Sequence, residues 1–210
     1  MSPWIEHEPL RGDHVTLEPL TADHVDELVA AADDEALFRW TSAPIRTRND
    51  AAAYIDAALT DPARQPFLQR AAAGDPVGTT SYYLIDPAHR SLAIGYTWLS
   101  TSAQGTAINP EAKLLLLDRA FARGAVRVEW HTDDQNVQSR AAIAALGATF
   151  EGLLRKHRQR TDGSWRTTAL FSMTDDDWPS ARQALRARID GRRSGGHRGE
   201  RGPSRSHGGA

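Results

Sequence analysis

The 210-residue chain predicts a mixed α/β fold: a central, mostly antiparallel sheet of about seven strands with helices on both faces. Three observations predict it. From Pro66 to Leu99 three strand-like runs are separated by turn signals at Gly74-Asp75 and Pro87-Ala88. Helical periodicity dominates the stretch before them. After them a loop, a helix and another strand follow a central strand, the order of a crossover unit, and two last strands flank Asp162-Gly163.

In chain order, His14 to Leu20 alternates and begins the sheet. Thr21 caps a helix through Asp33 that places Val25, Leu28 and Val29 on one face. A second helical stretch holds Leu37, Phe38 and Trp40 and breaks at Pro44; Asn49 or Asp50 starts a third, carrying Ala53, Tyr54, Ile55 and Leu59. The three antiparallel strands are Phe67 to Ala72, Val77 to Ile85 and Ser91 to Leu99. Glu111 to Arg123 reads as an amphipathic helix with a leucine run, Val126 to Thr132 as a buried-type strand, and Asn136 to Leu146 as a helix stopped by Gly147. Residues 1–190 are expected to form one domain. The Arg/Gly-rich segment 191–210 lacks aliphatic or aromatic anchors and is expected to be a disordered tail.

Composition excludes several chemistries. Cysteine is absent, which removes thiol nucleophiles, disulfides and thiolate metal sites. No run of about 18 apolar residues occurs and the first eleven residues do not read as a leader, so the protein is expected to be soluble and cytoplasmic, with no membrane partner. The net charge is −2, and the five arginines and one glutamate of the tail leave the rest of the chain near −6, which gives no reason to expect a specific nucleic-acid partner. His131-Thr132-Asp133-Asp134 invites a metal reading, but neighbours on a strand point to opposite faces, and no metal is expected. His89 and His157 read as solvated.

Two segments carry the functional signal. Gln104-Gly105-Thr106-Ala107-Ile108-Asn109 is a small-residue loop opening a helix, where unpaired N–H groups and the helix dipole favour an anion such as a pyrophosphate. Gly105 as a plain turn residue and Pro110 as a plain helix-start residue account for the same letters. The second segment, Asn136-Val137-Gln138-Ser139 followed by Leu146-Gly147-Ala148-Thr149-Phe150-Glu151-Gly152, makes a second unit of the right size to face the first. A crossover unit places ligands at the carboxyl ends of its strands, beside Leu99 and Thr132.

On these marks, with Ile94-Gly95-Tyr96 and Asp162-Gly163, the chain from about Leu10 to Trp178 resembles the GCN5-related N-acetyltransferase (GNAT) superfamily, in the branch of the ribosomal-protein N-terminal acetyltransferases. The resemblance implies transfer of an acetyl group from acetyl-CoA, a cosubstrate, to an amine acceptor, either a protein N-terminus or a small molecule, by direct attack in a ternary complex. It implies that the amides of the Gln104 to Asn109 loop wrap the pyrophosphate and that the backbone of Tyr96, Trp98 and Leu99 holds the pantetheine arm. It further implies that Asn136 anchors that arm or a water and that Ser139 hydrogen-bonds the departing sulfur. A homodimer through the last strands or helices is also common in the family. Two letters depart from the pattern: Ala107 stands where glycine is usual, and Asn109 where glycine or alanine is usual. The methyl of Ala107 is tolerable if its backbone is helical or extended.

Ala93 occupies a position where many relatives carry a glutamate, which leaves Glu129, and behind it Glu151, as carboxylates for a general base; a surface ion pair is the other reading of Glu129. An α-amine near pKa 8 needs little help from a base, whereas a lysine amine near 10.4 needs much more. Ser139 has a structural reading too, as a hydroxyl satisfying the start of its helix. Trp40, Tyr54, Tyr82, Tyr83, Tyr96 and Trp98 line either an acceptor pocket or the core. Arg46, Arg48 and Arg155 are candidates for an acidic acceptor or the adenosine phosphate. The rival to an enzyme is a non-catalytic acyl-CoA-binding or protein-interaction module on the same fold.

Overall fold

In the computed structural model, which describes residues 4–41, 43–160 and 162–195, the strand-rich middle of the chain forms the spine of one eight-stranded sheet. The strands are β1 (Leu10–Arg11), β2 (Val15–Pro19), β3 (Gln65–Ala71), β4 (Pro76–Asp86), β5 (Ser91–Leu99), β6 (Arg127–Asp133), β7 (Thr149–Gln159) and β8 (Trp165–Thr174). They lie in the order β1-β2-β3-β4-β5-β6-β8-β7. Every neighbouring pair is antiparallel except β5 and β6. The eighth strand beyond the seven expected is the two-residue β1, whose Leu10 and Arg11 pair with Leu17 and Thr16.

The helices are α1 (Val25–Ala31), α2 (Arg48–Thr60), α3 (Ile108–Ala122), α4 (Val137–Ala144) and α5 (Trp178–Gly195). Thr47, rather than Asn49 or Asp50, caps α2: its hydroxyl accepts from Asp50 N while the Asp50 carboxylate accepts from Thr47 N, a reciprocal box. The stretch around Leu37 shortens to a 3₁₀ turn, Glu35–Phe38, begun by Asp34, whose carboxylate accepts from Ala36 N. α3 starts three residues before Glu111. Pro110 is compatible with that start because a first-turn residue needs no N–H. α5 was not anticipated, and it carries the chain past the expected boundary at 190 to Gly195; residues 196–210 of the expected tail lie outside the described residues. No helix among the described residues is long and apolar enough to cross a membrane.

Two apolar layers sandwich the sheet. On one face, α3 and α5 bury Leu116, Leu117, Ala181, Leu185 and Ile189 against Phe67, Tyr82, Ile94, Val128, Trp130, Phe171 and Met173, and Trp178 stacks on Phe121. Ile5, from the start expected to be polar, is buried in this layer. On the other face, α1, the 3₁₀ turn and α2 cover only the β2 to β5 half, packing Leu28, Phe38, Ile55 and Ala58 on Leu68 and Trp98. Among the described residues no helix lies over the β6-β8-β7 half of that face, and β7 is the sheet edge, with Phe150, Leu153 and Leu154 exposed.

Polar groups fix α3 against the sheet. The buried Glu111 carboxylate accepts hydrogen bonds from the backbone N–H groups of Asp13, His14 and Val15, tying the β1–β2 turn to the first turn of α3. A Cβ at Gly12 would lie 2.4 Å from Glu111 Oε2, so the turn needs glycine there. Two residues on, Lys113 is 4 % exposed, and its Nζ donates to Thr80 Oγ1 (2.9 Å) and Thr97 Oγ1 (2.7 Å) with no carboxylate at ion-pair distance among the described residues. Burial lowers its pKa from 10.5 to about 7.

The unfolded chain therefore keeps a proton on Lys113 that the folded protein has released between about pH 7 and 10.5, and in that window stability rises with pH by at most about 1.4 kcal/mol per unit. Below pH 7 both states are protonated and the cost of the buried charge is constant. Urea unfolding at pH 7.5 and 9.5 is expected to show the protein more stable at the higher pH, with the rise reduced in Lys113→Met. An equal rise in the variant would place its origin elsewhere.

Candidate functional site

The parallel pair β5/β6 holds together over three rungs only, Ser91↔Arg127, Leu92↔Val128 and Ala93↔Glu129. Beyond Ala93, β5 continues with β4 and β6 with β8, so a wedge opens between strands whose facing backbone edges are no longer paired to each other. A bulge accompanies the parting: the β4–β5 register shifts between Thr79 and Ser81, and Tyr96 adopts φ 50°. Several contacts hold that bulge. Thr79 Oγ1 donates to Tyr96 O (3.0 Å), Tyr54 OH meets Thr79 Oγ1 at 2.8 Å, and the Arg64 guanidinium lies 3.6 Å from the centre of the Tyr96 ring. Arg64 itself is buried and donates to Tyr54 OH and Ser81 Oγ.

The loop after β5 ends at the start of α3. Gln104 Nε2 donates to Leu99 O (3.1 Å), fastening the loop to the strand end, and Thr106 Oγ1 bonds Ala103 O and Ile108 N. Gln104, Gly105 and Thr106 are exposed, so the helix mouth is not covered by them. The left-handed residue of the loop is Gly105 at φ 74°; Ala107 sits at φ −75°, ψ −12°, a helical conformation that accepts its methyl. The N–H groups of Ala107 and Asn109 have no hydrogen-bond acceptor among the described residues, and Asn109 Oδ1 is buried without a partner. Two main-chain donors at the positive end of a 15-residue helix fit an anionic diphosphate.

The second segment begins α4 just past the end of β6. Asn136 Oδ1 accepts from Ser139 N (3.0 Å) and caps the helix. Asn136, not Ser139, thus satisfies the helix start. The Ser139 hydroxyl has no hydrogen-bond partner among the described residues, and the Asn136 Nδ2 is likewise uncommitted. Trp98 and Leu99 turn their side chains into opposite core layers, so at those positions only main chain is available to a ligand in the wedge, while Tyr96 is exposed.

The carboxylates lie on the face away from α3. Glu129 accepts from His131 Nε2 (2.8 Å) and from Arg127 Nε (2.6 Å); these bonds, the one from His131 foremost, keep its pKa below the usual range despite partial burial. Glu151 is paired with Arg127 and Ser172 and held at about 2. Asp133 is bound by Arg160 and Asp134 by Arg140, while Thr132 is buried on the opposite side from His131. Among the suggested aromatics, Tyr54, Tyr82 and Trp98 are core, Tyr54 with its OH on Thr79 and Arg64, whereas the buried Tyr83 meets the exposed Tyr96 edge-on at the wedge. Arg46 and Arg48 are paired with Glu35 and Asp26, and Arg155 is exposed on β7.

Sequence reasoning missed Arg64, Arg158 and Arg166 and treated His157 as merely solvated. His131 and His157 approach to 6.0 Å between ring centres, and His157 Nδ1 lies 3.1 Å from Thr168 Oγ1. No local pattern announces this group, because its members come from β6, β7, β8 and the turn before β3.

Residues 14–149 match the family model described as an acetyltransferase (GNAT) domain. No curated protein sequence matches the chain. Among solved structures, a GCN5-related N-acetyltransferase from Brucella melitensis is 32% identical, with a TM-score of 0.84 over 89% of this chain and 87% of that one. A structure from T. thermophilus assigned to the acetyltransferases is 33% identical, with a TM-score of 0.80 over 87% of this chain and 97% of that one. Mycobacterium smegmatis RimJ, solved with CoA-disulfide, is 26% identical, with a TM-score of 0.72 over 88% and 93%.

The wedge geometry depends on a missing side chain. A Cβ at Gly95 would lie 2.7 Å from Tyr83 Cε1, so Gly95→Ala is expected to displace the Tyr83 ring and cost about 1–3 kcal/mol. Chemical denaturation of the variant checks this, and Tyr83→Leu in the same background should recover part of the loss by removing the clashing ring.

Proposed function

Because this chain belongs to the GNAT acetyltransferase family, we propose that it transfers the acetyl group of acetyl-CoA to a primary amine by direct attack within a ternary complex. The observation that carries the reading is the three-rung pairing of β5 with β6. It opens a wedge from whose two strand ends the chain runs into helices with donors that have no partner among the described residues, the amides of Ala107 and Asn109 at α3 and the Ser139 hydroxyl at α4. The solved complex of M. smegmatis RimJ with CoA-disulfide supports the same cosubstrate here.

Each residue has a task. The Gln104 to Asn109 loop holds the diphosphate through main-chain N–H groups and the α3 dipole, and the unpaired edge of β5 from Tyr96 to Leu99 holds the pantetheine arm as an added strand would. Asn136 Nδ2 anchors that arm or a bound water. The amine nitrogen forms a bond to the acetyl carbon as the carbon–sulfur bond breaks, and the Ser139 hydroxyl donates to the departing sulfur. Glu129, at the last rung before the strands part, takes up the proton that the amine gives up. Its bonds to His131 and Arg127 make it a weak base, which matches an α-amine with pKa near 8 better than a lysine near 10.4.

Isothermal titration with acetyl-CoA followed by a thiol-release assay on a panel of amines tests the reading. Binding and release are both expected, with turnover favouring amines of low pKa. Binding with no release from any amine would instead favour a non-catalytic acyl-CoA binder, and absence of both would remove either role. Ser139→Ala is expected to lower kcat roughly 10- to 100-fold with little change in acetyl-CoA affinity, and Glu129→Gln to lower the rate by about 10²-fold at pH 7, less as the pH approaches the pKa of the amine.

A further inference from the structure

We propose that the acceptor of this transferase is a small amine that also carries an anionic group, a carboxylate or a phosphate, received by Arg158 and Arg166 on the uncovered face of the sheet. The inference rests on the acetyl-transfer reading above and names the acceptor class that the reading leaves open.

The starting point is an imbalance of charge beside the wedge. On the face away from α3, Arg127 is shared by Glu129 and Glu151, and Arg160 binds Asp133 through two nitrogens. Glu129, Glu151 and Asp133 are thereby committed. Arg158 and Arg166, together with the buried Arg64, have no carboxylate at ion-pair distance among the described residues. Arg64 is otherwise satisfied, by Tyr54 OH, Ser81 Oγ and the faces of two tyrosines, and serves to hold the Tyr96 bulge. Arg166 is not satisfied. Its Nη2 donates to His131 O at 3.2 Å and its Nε is buried with no acceptor. Burial lowers its pKa, an effect that Asp133, already committed to Arg160, only partly offsets. A half-buried guanidinium with an unfilled donor and no contacting counter-charge is costly to maintain unless an anion arrives to complete it.

Position ties these arginines to the reaction. Tyr83 stands edge-on to Tyr96 at 5.3 Å and to His131 at 6.1 Å, and its ring lies over Gly95 at the start of the wedge. Arg158 lies opposite Arg166 in the β7–β8 register, and Arg166 Nη2 donates to the main-chain oxygen of His131, whose ring meets Tyr83. The two guanidiniums therefore flank an aromatic floor at the mouth of the wedge, on the side opposite the helix α3 whose start is assigned to the diphosphate. No helix among the described residues covers this half of the face, and Arg158 is exposed on it. A guanidinium fork suits the planar carboxylate and the phosphate alike, and the same positive field opposes polyamines and other acceptors that bring a second cation.

The test uses acceptor pairs that differ in the anion: glycylglycine against glycinamide, whose α-amines are of similar basicity, and phosphoethanolamine against ethanolamine, each assayed for acetyl-CoA-dependent thiol release with the full-length protein. At least a tenfold higher kcat/KM is expected for the charged member of one pair, and the pair that responds identifies carboxylate or phosphate as the group received. The exposed Arg158 is the safer substitution; Arg158→Gln, and Arg158→Gln with Arg166→Gln, are expected to shrink the preference stepwise toward unity through KM, with acetyl-CoA affinity by titration unchanged. Equal rates within both pairs, or a preference that survives in the double variant, would overturn the inference while leaving the acetyltransferase reading in place. If none of the four amines is turned over although acetyl-CoA binds, titration of each into the CoA-saturated protein decides: heat from a charged member alone, lost in Arg158→Gln, upholds the anion site, and no heat from any of them rejects it. Failure to bind acetyl-CoA would instead count against the acetyltransferase reading itself.

Discussion

The short parallel contact between β5 and β6 is the constraint from which the rest of the site follows. Three rungs join the strands, and then each strand stays with its other, antiparallel neighbour. Main-chain hydrogen bonds that a continuous sheet would satisfy internally are left facing a wedge, and a polar extended ligand can take them up. The bulge at Tyr96, the absent side chain at Gly95 and the tyrosines packed around Arg64 all act to keep β5 on its course away from β6.

The two faces of the sheet divide the work. The α3 face is a continuous apolar layer in which the polar exceptions are few and specific: Glu111 collects three backbone amides, and Lys113 bridges two threonines on β4 and β5. Both belong to the first two turns of α3, so the helix start that offers the Ala107 and Asn109 amides is fixed to the β1–β2 turn and to the strand bordering the wedge. The opposite face is half covered. Its uncovered half carries paired carboxylates and, in Arg158 and Arg166, two arginines with no carboxylate at ion-pair distance among the described residues.

Much of the fold was legible locally. Gly74-Asp75 and Pro87-Ala88 mark real turns, and the three central strands begin and end within a few residues of their expected bounds. Boundaries failed where a neighbour decides them. β1 exists because Leu10 and Arg11 have β2 to pair with, and α3 extends back to Ile108 because Pro110 does not interrupt a first turn. α5 was legible and overlooked: Trp178, Ala181, Leu185 and Ile189 recur at helical spacing, but they lie in an arginine-rich stretch that reads as polar.

At the site, the loop from Gln104 to Asn109 and the pair Asn136 and Ser139 were readable because each is a contiguous strand-loop-helix signature with local chemistry. The sequence by itself determined that a helix follows each of those two loops, the crossover between them, the absence of cysteine chemistry and the alanine at position 93. The tertiary structure decided which donors remain uncommitted: Asn136 caps α4 and leaves the Ser139 hydroxyl without a partner among the described residues, and Glu129 is bound by His131 and Arg127. It also decided that Arg64, from the turn before β3, shares one face with Arg158 and Arg166 from the last two strands. Hydrogen-bond partners and counter-charges are set by which strands lie side by side, and a linear pattern encodes spacing along one strand, not the neighbour that β6, β8 and β7 will bring to it.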